Sequence, residues 1–158
     1  MGNYGKNTQY YYVDPNVANA TGTIDRAMSK WVNSNGTGIY TPISYRRTGN
    51  KPSSLMDFEK ALTSRPNTYA WVTHWNSRTQ VIPIGSRHWA WAKVEITPLY
   101  FASNETVRMR SMAHEIGHAF GLDHNPDSVR KLMFGKNHPS MPTGPVASEL
   151  QGINFLYK

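Results

Sequence analysis

Cysteine is absent from this 158-residue chain. Disulfide bonds are therefore excluded, and because both cytosolic proteins and many secreted bacterial proteins lack cysteine, the absence does not decide the compartment. No run of about 18 apolar residues occurs, so no segment is predicted to cross a membrane. The length suits one hydrophobic core, and we predict a single domain over residues 1–158.

Charged residues are also few, at 17% of the chain, but they are unbalanced: 17 basic residues against 10 acidic ones give a net charge of +7. A positive surface favours anionic partners, including cell-wall polymers and acidic substrates. The basic residues are scattered, and only Arg46–Arg47 and Arg130–Lys131 are adjacent. They form no basic stripe with interleaved aromatic residues, so we predict no nucleic-acid partner and a generally solvated positive surface.

Three of the six histidines fall in one stretch that reads HEIGHAFGLDH. His114 and His118 are four residues apart, so on a helix they lie one turn apart on the same face and can bind one zinc ion at roughly 2.0–2.1 Å. Glu115 follows the first histidine and would lie beside the metal, where a general base for water belongs. Gly121 can end the helix in a left-handed conformation and let His124 return as a third ligand. Three protein ligands leave one position open, which is the catalytic arrangement.

This stretch has two other interpretations. A bare HExxH recurs by chance, and the histidines could simply line the end of a helix. That interpretation requires half of the histidines, a glutamate and a glycine to fall into register by accident. A second zinc-enzyme arrangement takes a glutamate far downstream as third ligand, but the one later glutamate, Glu149, fits a closing helix.

The remaining pattern predicts strands and helices in a mixed order. Ile24, Ala27, Met28 and Trp31 have the spacing of one buried helical face. Alternation of aromatic or β-branched residues indicates strands before the histidine motif, with no helix between the later ones, and so favours a mixed sheet. The predicted strands cover residues 10–13, 39–45, 69–75, 81–84 and 89–96. The predicted helices cover residues 23–33, 54–62, 103 or 104 to 121, and 148–157.

Met133 follows His124 by nine residues, within the sequence KLMFG. With the long histidine motif, this resembles the metzincin metallopeptidases, in which a turn carries a methionine beneath the metal. The tail PVASELQGINFLY over residues 145–157 is most similar to the closing helix of the matrixins. The resemblance implies an α+β zincin fold with a mixed twisted sheet, an N-terminal helix and a zinc-binding active-site helix in residues 1–121. A small C-terminal subdomain with the Met-turn and the closing helix would follow in residues 122–158.

The resemblance also implies a function. We expect a zinc-dependent endopeptidase, in which one catalytic zinc on His114, His118 and His124 activates water and Glu115 is the general base. The peptide would lie extended along the sheet edge, and residues 134–144 would form a wall of the pocket for the residue after the cut. The protein would be a secreted monomer whose signal peptide lies outside this sequence. The alternative is a catalytically silent, zinc-containing binding module of the same fold, which would more readily have lost Glu115.

The chain departs from the matrixin pattern in several places. Asn125 replaces the usual serine after the third histidine, and no tyrosine lies two residues after Met133, so no tyrosine is predicted to assist the oxyanion. Between residues 69 and 100 there is no aspartate, and Glu95 is the one carboxylate. We therefore predict neither calcium sites nor a second structural zinc, and assign His74 and His88 as ordinary strand histidines. Lack of cysteine excludes the thiol that keeps matrixins latent.

Overall fold

The computed structural model describes residues 8–76, 81–83 and 89–157. Within these ranges one six-stranded sheet is combined with four α-helices. The strands are β1 (Gln9–Val13), β2 (Tyr45–Thr48), β3 (Met56–Lys60), β4 (Ala70–Trp75), β5 (Val81–Ile82) and β6 (Trp91–Ile96). The helices are α1 (Thr21–Val32), α2 (Pro98–Ala102), α3 (Glu105–Ala119) and α4 (Ala147–Leu156).

The sheet is mixed, as expected, with the strand order β2-β1-β3-β6-β4-β5. Strands β2, β1, β3 and β6 run parallel to one another, whereas β4 is antiparallel to both β6 and β5. Strand β5 pairs only with His74 and Trp75 at the end of β4. Residues 70–73 therefore have a strand partner on one side only within the described chain, and this free edge faces the site described below.

The core lies between the sheet and the two long helices, α1 and α3. The apolar stripe predicted on α1 is confirmed, because Ile24, Ala27, Met28 and Trp31 are all at most 2% exposed. Trp31 joins the two helices. Its indole Nε1 donates a hydrogen bond to the Ala113 carbonyl at 2.9 Å, and its ring meets Phe120 edge-on at 5.8 Å between centroids. This packing fixes α3, the helix that carries the histidine motif.

The sequence-based assignment is wrong in two segments. Residues 54–62 were predicted as a short helix but contain strand β3, which pairs with β1 on one side and β6 on the other. Sheet partners far away in sequence supply this preference, so a local pattern does not show it. Residues 39–45 were predicted as a strand, but pairing begins only at Tyr45 and the preceding residues, including Pro42, are irregular. Proline lacks the N–H that a ladder needs.

Other elements agree with the expectation or add to it. Asn104 caps α3 by accepting a hydrogen bond from the Val107 amide at 3.0 Å, at one of the two predicted helix starts. In α4, Leu150 and Ile153 are fully buried, as predicted for a closing helix. The short helix α2 was not anticipated. None of the helices in the described chain has the length and apolar character needed to cross a membrane.

Candidate metal centre and its cleft

The end of α3 has the geometry that the glycine in the motif predicted. Gly121 has φ +97°, in the left-handed region. Its amide donates to the His118 carbonyl at 2.8 Å, and the Leu122 amide donates to the Gly117 carbonyl at 3.0 Å. These two bonds form a Schellman C-cap, which satisfies the last helix carbonyls and reverses the chain. The reversal returns the chain to the helix and brings His124 alongside it.

A glycine is required at this turn for a second reason. A Cβ atom on residue 121 would lie 2.5 Å from Cη2 of Trp89, a buried residue of the core. Contacts that short do not occur between unbonded carbon atoms, so any side chain here would displace the indole. Gly121 therefore combines a backbone conformation unfavourable for other residues with close packing against Trp89.

The three histidines of the motif come together at this helix end. One ring nitrogen from each of His114, His118 and His124 lies within 4.8 Å of the others. The Nε2 atoms of His114 and His124 are 3.3 Å apart. Three nitrogens bound tetrahedrally at roughly 2.0–2.1 Å from one zinc ion would be about 3.3–3.4 Å apart. The spacing of the His114 and His124 nitrogens therefore fits a zinc ion, and the His118 nitrogen lies near enough to join them.

Hydrogen bonds fix the tautomers of two of the rings. Nδ1 of His114 lies 2.6 Å from the Leu132 carbonyl, and Nδ1 of His118 lies 2.7 Å from the Leu122 carbonyl. A carbonyl oxygen only accepts, so Nδ1 carries the proton in both rings and Nε2 keeps its lone pair for a metal. Each ring is thus held by backbone from the segment that follows the helix.

The environment also keeps these two imidazoles neutral. Burial lowers the pKa of His114 to about 4 and that of His118 to about 3. At neutral pH both rings are therefore unprotonated, which is the form that binds metals. His124 is exposed, so the cluster has two potential ligands on the packed helix and one facing solvent.

Glu115 lies between the first two histidines in sequence and lines the same cleft. Its side chain is half-buried, and burial raises its pKa to about 8. A bound divalent cation nearby would lower that pKa, because an opposite charge favours the carboxylate. A carboxyl group whose pKa lies near neutrality can both accept and return a proton, which suits general acid–base catalysis.

Met133 lies directly under the histidine helix. It is 1% exposed, and a Cβ on Gly117 would lie 2.4 Å from its sulfur and 2.9 Å from Cζ2 of Trp31. Because Gly117 has no side chain, Met133 and Trp31 can approach the helix backbone closely at this position. Met133 is therefore packed against the helix backbone between His114 and His118.

Two polar side chains that the sequence analysis did not assign to the site hold this region. Glu149 is 5% exposed, and its carboxylate accepts hydrogen bonds from the Met133 amide at 2.7 Å and the Val146 amide at 2.8 Å. Arg110 is 7% exposed and lies one helical turn before His114. That spacing was the available sequence signal for Arg110, since residues four apart share a helix face.

The cleft beside the histidines is a cavity of about 490 Å³. One wall is the free edge of β4, from Ala70 to Val72, and the floor is α3 with Ser111 and Glu115. The opposite wall is part of the loop predicted to line a pocket. Its lining residues there are Phe134, Gly135, Lys136, Asn137 and Met141.

His74, the other described histidine that the sequence assigns to a strand, is not part of this cluster. His74 is fully buried in β4, and its ring lies 4.6 Å from the Trp89 ring centroid. Burial lowers the pKa of His74, in keeping with a neutral packing residue. His88 lies outside the described residues. Among the residues that the structure describes, His114, His118 and His124 are the one group of potential metal ligands close enough to share an ion.

Sequence comparison provides no relative: no protein-family model and no curated protein sequence matches the chain. Comparison of structures does. Myroilysin matches with a TM-score of 0.57 and 12% identity, covering 98% of this chain and 93% of that one. Archaemetzincin from Methanopyrus kandleri matches with a TM-score of 0.57 and 11% identity, covering 99% and 97%. Taken with the mixed sheet and the histidine-bearing helix, these matches show that the chain has a metzincin-like α+β fold.

Proposed function

We propose that this protein is a zinc-dependent endopeptidase in which His114, His118 and His124 bind the metal and Glu115 is the general base. One observation carries the proposal: three imidazoles whose ring nitrogens lie within 4.8 Å of one another converge beside a carboxylate on the floor of an open cleft. A structural zinc site would be closed by a fourth protein ligand. No fourth histidine, aspartate, glutamate or cysteine joins this group within the described chain.

In the proposed reaction, the metal-binding histidines, Glu115 and two backbone carbonyls each have a separate role. A zinc ion held by the three imidazoles would supply a Lewis acid that polarises the scissile carbonyl and acidifies water. Glu115 accepts the proton of the attacking water and then delivers it to the leaving amine nitrogen. The carbonyls of Leu132 and Leu122 orient the His114 and His118 rings throughout, so that neither ligand has to reorganise during the reaction.

The substrate would lie extended along β4. Residues 70–72 line the cleft, and this edge has no strand partner in the described chain, so its backbone groups are available to a peptide. A peptide added to such an edge binds by main-chain hydrogen bonds whatever its sequence, and side-chain pockets then provide selectivity. This arrangement supports cleavage within a chain rather than recognition of a terminus.

The matrixin-like assignment belongs to this proposal as well. It rests on Met133 beneath the helix and on the closing helix α4, whose Glu149 binds the Met133 amide. We propose that residues 134–144 form the wall of the pocket for the residue after the scissile bond. If exchange of this loop left the cleavage preference unchanged, that assignment would be wrong.

The proposal is tested by incubating a mixed peptide library with the purified protein and with Glu115→Ala, each shown to contain one zinc ion. We expect internal cleavage by the wild type and none by the variant. Bound zinc without cleavage by either protein would favour the silent binding module, and equal cleavage by both would remove Glu115 from its role.

A further inference from the structure

The charges that line the cleft are almost all of one sign. Arg65, Arg110 and Lys136 line it, and Glu115 is the one carboxylate among the described lining residues. Glu115 is committed to the proposed chemistry, so it is not a permanent counter-ion for these cations. The imbalance in the cleft is sharper than the excess of basic over acidic residues in the whole chain.

Six basic side chains elsewhere in the described chain have carboxylate partners. Ion pairs join Arg26 and Arg108 to Glu105, and Arg47 to Asp25. Three lysines are paired in the same way, namely Lys51, Lys93 and Lys131. The ion pairs found across residues 8–76, 81–83 and 89–157 include none of the three cations of the cleft. Three cations without a carboxylate partner among the described residues therefore lie together at the proposed substrate site.

Arg110 is the most constrained of the three. Its Nε donates to the Met141 carbonyl, Nη1 to the Asn137 side-chain oxygen and Nη2 to the Pro139 carbonyl, each at 3.1 Å. All three acceptors are uncharged, and they lie on the loop proposed to bound the pocket after the scissile bond. Three of the five guanidinium donors are used, which leaves two without a protein acceptor in the described chain.

Burying a cation without a counter-ion costs free energy, and holding the loop in place does not by itself require a charged side chain. Retaining a charge at a buried position normally calls for a paired ion, because desolvation is not offset by neutral acceptors. The guanidinium group is planar and rigid, and with two free donors it is suited to bind a carboxylate through two parallel hydrogen bonds. Arg65 adds to the field from the opposite wall, where its guanidinium carbon lies 4.2 Å from the Trp71 ring centroid.

We infer that the protein selects acidic peptides, and that the carboxylate of an aspartate or glutamate directly after the scissile bond pairs with Arg110. This inference rests on the proposed function, since it names the substrate class of the same cleft. Arg65 and Lys136 raise the local concentration of acidic chains, while Arg110 determines which position of the peptide must be acidic.

The experiment uses matched peptides that differ only in glutamate against glutamine, or aspartate against asparagine, at the position after the cut. For the zinc-loaded wild type we expect kcat/KM to be about tenfold or more higher for the acidic member, with the ratio falling as salt is raised. A ratio of one or less would overturn the inference. Absence of cleavage of every peptide, acidic or neutral, would instead overturn the proposed function.

Substitutions of Arg110 test whether this residue causes the preference for acidic peptides. Arg110→Met should bring the acidic-to-amide ratio close to one, and Arg110→Lys should retain part of it. Arg46→Met, which removes one charge from the exposed strand β2, should keep the wild-type ratio. If Arg110→Met lowers both rates but keeps the ratio, Arg110 only positions the loop and the inference is wrong.

A second variant covers the case in which Arg110→Met does not fold. Lys136 is exposed on the cleft wall, so Lys136→Glu reverses a charge there without disturbing the core. We expect it to lower the ratio severalfold through the local field. An unchanged ratio in folded, zinc-loaded Lys136→Glu would contradict a basic cleft that selects acidic peptides.

Discussion

The two parts of the chain that meet at the histidine cluster are held by different interactions. Up to Gly121, the sheet and the helices enclose an apolar core in which Trp31, Phe58, Tyr100 and Phe120 are fully buried. Between residue 122 and α4 the described chain has no helix or strand. There the backbone is held largely by polar side chains, such as Arg110 and Glu149, that bind its carbonyls and amides.

This difference explains how the site combines rigidity with openness. His114 and His118 belong to the packed helix, but the groups that orient their rings are carbonyls of the second part. The second part also supplies His124 and the cleft wall. A close-packed apolar core in this region would fill the space that a substrate needs. Hydrogen bonds from side chains to an irregular backbone hold the loop and leave a cavity. The two parts should therefore respond differently to mutation.

The largest effect is expected from His118→Ala, which removes a ligand from the packed part. Zinc binding should be lost, together with its stabilisation, which is about 4 kcal/mol when free zinc is a thousandfold above Kd. Thermal unfolding with and without a chelator measures this. The wild type should melt at a lower temperature when chelated, and the variant should not respond; an equal response of both would exclude His118 as a ligand.

The next effect concerns the junction between the two parts. Gly121→Ala places a side chain at φ +97°, with its Cβ 2.5 Å from Trp89, so we expect a loss of about 2–4 kcal/mol in the free energy of unfolding. Urea unfolding measures it. Gly49→Ala is the matched control, because nothing lies within 4 Å of its Cβ position, and it should change stability by less than about 0.5 kcal/mol. Similar losses at both positions would contradict the argument.

In the second part we expect a smaller loss of stability but a clear loss of metal affinity. Glu149→Gln keeps one amide acceptor and turns an N–H₂ group towards the other amide donor, at a cost of about 1–3 kcal/mol. Because the Leu132 carbonyl, which directly precedes Met133 in the chain, orients the His114 ring, zinc affinity should fall as well. A competition titration with a chelator measures it. Glu59→Gln, in strand β3, should leave zinc affinity unchanged, and equal affinity in both variants would remove Glu149 from the support of the site.

The smallest effect is a pH dependence in the packed part. Asp57 is 6% exposed in β3, and burial raises the pKa of its carboxyl, opposed by the hydrogen bond from the Ser54 hydroxyl and by the charge of Lys51. A folded-state pKa above the unfolded value means that the folded protein binds the proton more tightly. Stability should therefore fall as pH rises from the unfolded pKa through the folded one. Because burial also raises the pKa of Glu149, urea unfolding at pH 4 and pH 7 should show a smaller fall in Asp57→Asn than in the wild type; equal falls would contradict it.

The metal-ligand candidates were visible in the sequence because their geometry is local. Helical periodicity places His114 beside His118, and one glycine in the left-handed conformation suffices to return His124 to them. The buried face of α1 was visible for the same reason. The metzincin-like fold itself was implied by the resemblance of the histidine motif, Met133 and the tail over residues 145–157 to the metzincins, and the structural matches confirm it.

Sequence by itself thus determined the histidine cluster, the general base candidate beside it and the helices that follow a regular apolar period. Only the tertiary structure decided that residues 56–60 are a strand, that Glu149 holds the Met133 amide, and that Arg110 lies unpaired in the cleft wall. Each of these depends on partners that are distant in sequence. A strand is defined by its neighbours in the sheet, and the role of a buried charge is defined by the groups that surround it.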